Sequence, residues 1–277
     1  MLYPDIDPVA FQLGSIKIHW YGISYMVAFA VGWWLARVRA KQTGLLDEKG
    51  VDDLIFYVVL GVVLGGRIGY ILFYNFATWM SDPLELFRVW EGGMSFHGGL
   101  LGVLIAMWLF ARKVQLKFFQ ITDFIAPIVP VGLLTGRIGN FINGELWGAP
   151  TKVPWGMQVK CEEFYYLCSS KLGLAPGTEL TPPLHPSQLY EALLEGVVLF
   201  ALLWLVALRK PPMMMVSGLF LIGYSVFRFS VEFVRMPDAH IGYLWGEWLT
   251  MGQLLSLPML LAGLVISLYS LKTKDMD

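Results

Sequence analysis

The sequence predicts an all-α integral membrane protein with seven transmembrane helices, its N-terminus outside and its C-terminus cytoplasmic. Three observations carry this expectation. Of 277 residues, 56% are apolar and only 15% are charged, against about 25% charged in soluble domains. Mean hydropathy is +0.60. Apolar runs close to the roughly 20 residues that a spanning helix needs recur along the whole chain.

The runs lie at about residues 16–36, 53–75, 93–111, 118–141, 187–208, 214–235 and 249–271. Residues 1–15 lack a basic start followed by an apolar stretch, so no cleaved signal is expected and the first span serves as its own insertion signal. Trp20, Trp90, Trp147, Trp155, Trp245 and Trp248 fall near outward segment ends, where an interfacial aromatic belt would lie. Orientation follows from the connections. Arg37, Arg39, Lys41 and Lys49, then Arg112, Lys113 and Lys117, then Arg209 and Lys210, then Lys272 and Lys274 fall on one side if the helices alternate. The opposite connections hold fewer cations, so the first set is placed in the cytoplasm.

Residues 1–277 read as a single membrane domain. The connection of about residues 142–186 then lies outside, as a small extracytoplasmic subdomain between helices 4 and 5. It is rich in turn chemistry: Gly148-Ala-Pro150, Val153-Pro-Trp-Gly156, Ala175-Pro-Gly177 and Pro182-Pro183. Cys161 and Cys168 lie within it, at a spacing that permits a disulfide without requiring one. No Cys-x-x-Cys or His-Glu-x-x-His occurs, so no zinc site is expected. The net charge of −1 offers no bulk attraction for nucleic acid.

Arg67, Arg137 and Arg228 fall inside expected spans, where a charge costs a few kcal/mol and by default faces the protein interior. With Tyr21 and His97 they read as sharing one depth, below the outer surface, as a site for an anionic group would require. One such arginine alone can equally snorkel or pair structurally. Arg228 and Glu232 are four apart and can pair along one helix face, which Arg235 continues. Glu191 and Glu195 each need a partner, from Arg67 or another buried arginine.

In the segment Thr135–Gly148, Arg137, Asn140 and Asn143 recur in steps of three, followed by Glu145. Gly136, Gly139 and Gly144 leave room for close approach. Such a set can cradle a phosphate, whose oxygens fit the planar fork of arginine; the alternative is polar adhesion between helices. His97, flanked by glycines, can accept a proton as a neutral imidazole, or act as a structural donor. There is no Gly-x-Ser-x-Gly, and Ser95 and His97 point to different faces, so a hydrolase is not indicated. Gly66-Arg-Ile-Gly69 echoes Gly136-Arg-Ile-Gly139, too briefly to establish a repeat.

Gly136-Arg-Ile-Gly-Asn-Phe-Ile-Asn-Gly-Glu-Leu-Trp-Gly148 resembles the signature of the bacterial prolipoprotein diacylglyceryl transferases. His19–Gly22, Gly65–Tyr70, Gly93–Gly99, His185–Glu191, Phe227–Arg235 and Met251–Gln253 match that family in order, so the likeness covers nearly the whole chain. It implies transfer of the diacylglyceryl group of phosphatidylglycerol to the lipobox cysteine of a prolipoprotein, with glycerol phosphate released and no metal or cofactor. The expected setting is multi-pass in the bacterial cytoplasmic (inner) membrane, with the active site toward the outer leaflet from the depth of the arginines, and a monomer is expected although the sequence does not itself give the oligomeric state. The likeness also implies Arg137, Arg228 and His97 as catalytic residues. Asn140, Glu145, Glu232, Tyr21 and Tyr224 fall on functional positions of the family, and Arg67 and Asn143 join the substrate-binding set from their placement. The rival readings are a transporter of an anionic solute or lipid and a scaffold that holds a lipid headgroup without reaction.

Overall fold

The computed structural model describes residues 1–4, 6–88, 92–237 and 242–274. Trp90, expected in the aromatic belt, lies outside the described residues. The fold is mostly helical and divides into two compact units: Met1–Gly32 with Ala126–Asp277, and Trp33–Ile125.

The chain enters through a small two-stranded sheet, which the sequence reading does not include. Strand β1 (Val9–Leu13) pairs antiparallel with β2 (Ile16–His19). Gly14, at φ 61°, makes the tight turn that a residue with a Cβ would strain. Residues 16–19 therefore belong to a strand, and helix α1 runs Trp20–Thr43, beyond the expected end. Arg39, read as a loop cation, is a buried helical residue whose Nε donates to the Phe124 carbonyl at 2.9 Å. The apolar run continued through both elements, which hid the hairpin from a pattern based on composition.

In the unit Trp33–Ile125, α2 (Glu48–Tyr74) begins at Asp47, whose side chain accepts from the Gly50 N–H at 2.7 Å. The short α3 (Phe76–Ser81) and a 3₁₀ turn (Pro83–Phe87) follow. Helix α4 (Phe96–Lys113) starts at the Ser95 cap, and α5 covers Phe118–Ile125. Helices α2 and α4 meet backbone to backbone. A Cβ on Gly61 would lie 2.6 Å from the Gly102 carbonyl oxygen, and one on Gly69 would lie 2.6 Å from Gly98 Cα. Glycines 61, 65 and 69, spaced by four, make one face of α2 smooth enough for that approach.

In the other unit, α6 (Val129–Ile142) follows a break after α5 that contains Pro127, with Pro130 in the first turn of α6, and this break interrupts the fourth expected span. The helix Ser187–Leu208 is continuous. It comprises α7 (Ser187–Glu191), a π-helical stretch (Ala192–Val198) and α8 (Leu199–Leu208). Helices α9 (Met215–Glu232) and α10 (Met251–Lys274) complete it. Ala126, Leu199, Leu203, Ala207 and Val216 form one buried cluster.

Residues 142–186 fold on a second cluster, in which Tyr3, Trp147, Val159, Leu167, Leu184 and Met236 are buried together. Cys161 and Cys168 form a disulfide. Trp147 is thus a core residue, 2% exposed, with its indole N–H donating to the Gly144 carbonyl. That corrects its placement in an interfacial belt. Trp20, Trp155, Trp245 and Trp248 are exposed.

Among the described residues, four helices are long and apolar enough to cross a membrane: Glu48–Tyr74, Ser187–Leu208, Met215–Glu232 and Met251–Thr273. The bent pair α5–α6 makes a fifth if counted as one span. Helices α1 and α4 are not among them. His97, Arg112 and Lys113 dilute the apolar content of α4.

Candidate active site

Three helices of one unit converge on a cluster of charges. Arg137 projects from α6, Glu191 ends α7, Glu195 sits one turn later in the π-helical stretch, and Arg228 and Glu232 share one face of α9. Arg235 follows just beyond. Arg137 Nε lies 3.0 Å from Glu191 Oε2, and its Nη2 lies 3.5 Å from Glu195 Oε2. Arg228 Nη1 pairs with Glu191 Oε1 and its Nη2 with Glu232 Oε1. Arg235 Nη1 reaches Glu191 Oε1 at 3.1 Å. Glu191 therefore touches all three arginines.

Exposure separates the two signs of charge. The side chains of Glu191, Glu195 and Glu232 are 1%, 0% and 5% exposed, whereas those of Arg137, Arg228 and Arg235 are 18%, 15% and 11% exposed. The carboxylates form the floor and the guanidinia the open layer. A guanidinium carries five N–H donors, and the pairs above use only some of them. The open layer can therefore receive another anion without breaking the floor.

The residues around Arg137 are set by the end of α6. The helix stops at Asn143, and Gly144 (φ 67°) turns the chain. The Glu145 carboxylate then accepts from Asn140 Nδ2 at 3.4 Å and Asn143 Nδ2 at 3.3 Å. Gln188 Nε2 donates to the Glu145 backbone carbonyl, fastening this turn to α7. Gly139 admits α1: a Cβ there would lie 2.9 Å from Ser24 Oγ and 3.0 Å from Tyr21 Cδ2. Tyr21 and Tyr25 hydroxyls are 3.3 Å apart. Tyr224, one turn before Arg228, lies within electrostatic reach of Arg137, Glu191, Glu195 and Arg228.

One unit thus brings together Arg137, Arg228, Glu232, Asn140, Asn143, Glu145, Tyr21 and Tyr224 of the expected set. Arg67 and His97 belong to the other unit. There Arg67 is buried, and its guanidinium donates to the backbone carbonyls of Glu85, Leu86, Gly92 and Gly93. It clamps a loop of its own unit, while the cations that meet Glu191 and Glu195 are Arg137, Arg228 and Arg235. The Gly-Arg-Ile-Gly echo thus places its two arginines in unlike surroundings, one on carbonyls and one on carboxylates. His97 is an exposed residue of the first turn of α4, with the Phe96 ring edge-on at 5.5 Å between centroids.

Residue patterns alone left Arg235, Glu191 and Glu195 outside the candidate set. Arg235 was legible as a continuation of the Arg228 face, and the two glutamates as intramembrane acids requiring cations. What no pattern supplied was which arginines they meet.

The sequence profile of the family described as "Prolipoprotein diacylglyceryl transferase" matches residues 8–269. The chain belongs to this family. A phosphatidylglycerol–prolipoprotein diacylglyceryl transferase of Methylococcus capsulatus is 54% identical over 268 residues, 96% of each chain. The protein of the same name from Chromohalobacter salexigens is 56% identical over 270 residues, covering 98% of this chain and 94% of that one. That of Ectopseudomonas mendocina is 51% identical over 276 residues, 99% of this chain and 98% of the relative. In this transferase chain, the signature segment contributes Arg137, Asn140, Asn143 and Glu145 to the site just described.

Proposed function

We propose that the chain transfers the diacylglyceryl group of phosphatidylglycerol to the cysteine thiol of a prolipoprotein lipobox. The observation that carries this reading is the layer of three partly open guanidinia resting on three buried carboxylates. The thiol loses its proton, the thiolate sulfur attacks the glyceryl carbon, and the bond from that carbon to the phosphate oxygen breaks. A thioether forms and glycerol phosphate leaves with the bonding electrons. Negative charge grows on the phosphate oxygens during this step. Arg137 and Arg228, already oriented by Glu191, Glu195 and Glu232, stabilise that charge without first reorganising.

A cysteine thiol ionises near ~8.5, so attack at neutral pH needs a base or a positive field. His97 is the base in this reading, with the arginine field as the alternative route to the thiolate. Asn140, Asn143 and Glu145 hold the polar headgroup, while Tyr21 and Tyr224 border it. Arg67 supports the loop that precedes His97. The nucleophile belongs to the substrate, so displacement is direct; isolation of a diacylglyceryl–enzyme adduct would overturn this.

The proposed setting is the bacterial cytoplasmic membrane, with α1 and α4 completing seven spans, the C-terminus cytoplasmic and the chain a monomer. Charge supports that orientation. Arg209, Lys210 and Lys272 lie at one end of α8 and α10. Glu191 and Glu195 lie toward the opposite end of the continuous helix Ser187–Leu208, and Glu232 meets Thr250 at the start of α10, which puts the charge cluster toward the outer leaflet in this reading. The whole chain then works as one membrane domain, with residues 142–186 outside.

The test is reconstitution with phosphatidylglycerol and a lipobox peptide. Thioether-linked product is expected from the unaltered protein. Arg137→Ala and Arg228→Ala should each abolish turnover while still inserting. Full activity in either defeats the site assignment.

A further inference from the structure

The last turn of α9 and the first turn of α10 meet at Glu232. One oxygen of its carboxylate, Oε1, faces Arg228. The other, Oε2, accepts a hydrogen bond from Thr250 Oγ1 at 2.6 Å. Thr250 is 3% exposed and Gln253 is fully buried. Their relation is reciprocal: the Thr250 N–H donates to Gln253 Oε1 at 3.0 Å, and the Gln253 N–H donates to Thr250 Oγ1 at 3.2 Å. This is a capping box, Thr-x-x-Gln, at the start of α10.

A hydroxyl has one proton and two lone pairs. The Gln253 N–H occupies acceptor capacity on Thr250, and the single proton goes to Glu232. Gly252 closes the arrangement. A Cβ there would lie 2.7 Å from Glu232 Cδ, so the first turn of α10 rests directly on the carboxylate.

We infer that Thr250 is a positioning residue for the transfer reaction: through Glu232 it fixes the plane of the Arg228 guanidinium. This rests on the reading of Arg228 as a phosphate-binding group. Glu232 supplies one of the two close carboxylate partners of Arg228, and Thr250 holds the far side of that carboxylate. Without the hydroxyl, Glu232 keeps its arginine partner but loses the bond that holds Oε2, so the plane it presents to Arg228 is less firmly set. The capping box alone would predict a different outcome, since it concerns the stability of α10 and not the rate of transfer.

The experiment uses the full chain in detergent with phosphatidylglycerol and a lipobox peptide, with rates normalised to folded enzyme. Thr250→Val, which keeps the shape and removes the hydroxyl, should lower kcat about tenfold or more, as expected for a lost hydrogen bond to a charged group. KM for the peptide should stay within about twofold. Thr250→Ser should restore kcat. Gly252→Ala, which displaces the same carboxylate, should match the loss in Thr250→Val. Gln253→Leu, which breaks the cap and leaves the Thr250 hydroxyl on Glu232, should lower Tm but keep kcat within about threefold. The inference is overturned if Thr250→Val retains full kcat, if Thr250→Ser falls with it, or if Gln253→Leu loses as much. Arg228→Ala in the same assay separates the two readings. If it is inactive while Thr250→Val is fully active, only the present inference fails; if it is fully active, the site assignment itself fails.

Discussion

Glu191→Gln is the sharpest probe of the charge cluster, because this one carboxylate touches Arg137, Arg228 and Arg235. Two of the contacts are 3.0 and 3.1 Å, and the third is at least as close. Each is worth roughly 5–7 kcal/mol of Coulomb attraction at an effective dielectric of about 20. Most of that offsets the cost of taking the carboxylate out of water. The net effect expected from removing one partner of a buried ionic cluster is about 3–5 kcal/mol of stability. Gln retains the shape, so the loss reports charge and hydrogen bonding more than a cavity. Catalysis should suffer separately, since a guanidinium displaced by about 1 Å can cost ~100-fold in rate. Glu195→Gln is the internal comparison. Its contacts with Arg137 and Arg228 are longer, 3.5 and 4.0 Å, so both losses should be smaller. Stability is read from denaturant titration of the detergent-solubilised protein, and rate from thioether formation on a labelled lipobox peptide. Equal effects for the two substitutions, or a Glu191→Gln enzyme with unchanged stability and kcat, would refute the account of Glu191 as the shared anchor.

Two further outcomes follow from other parts of the molecule. Gly102→Val should destabilise the α2–α4 contact by about 1–3 kcal/mol or more, because a Cβ at Gly102 would already lie 2.8 Å from Gly65 Cα; a Tm equal to that of the unaltered chain would contradict the packing described. His185 is held below the ordinary histidine value by burial, so the unfolded chain takes up its proton first as pH falls. Its contribution to stability is complete above about 6.5 and is lost as pH falls through the lower folded value. Tm measured from neutral pH downward should therefore drop more steeply for the unaltered chain than for His185→Asn, and parallel curves would dismiss the effect.

The sequence made the helices and the cations legible because both depend on local chemistry. Arg137, Asn140 and Asn143 could be placed on one face from spacing alone, and the pairing of Arg228 with Glu232 followed from a separation of four. The hairpin at residues 9–19 was hidden because its apolar residues continue the run that becomes α1. Trp147 was misplaced because a tryptophan near a span end suits either an interface or a core, and only the fold of residues 142–186 decides. Arg67 and Arg137 share a four-residue context, yet one meets carbonyls and the other carboxylates. Such differences arise from what lies opposite each side chain, and spacing along one chain does not encode that. The role of Thr250 was out of reach for the same reason: Glu232 lies eighteen residues away in sequence.

The buried carboxylates beneath the arginines have a consequence for the end of the reaction cycle. Three guanidinia with no counter-charge would hold a released phosphate monoester tightly, and the departing headgroup would compete with the next lipid. Here the donors are neutralised in advance. The site can offer direction to a growing charge while exerting little net pull on a finished anion. On the proposed chemistry, Glu191, Glu195 and Glu232 thus serve turnover as much as transition-state geometry, by keeping product departure from becoming the slow step.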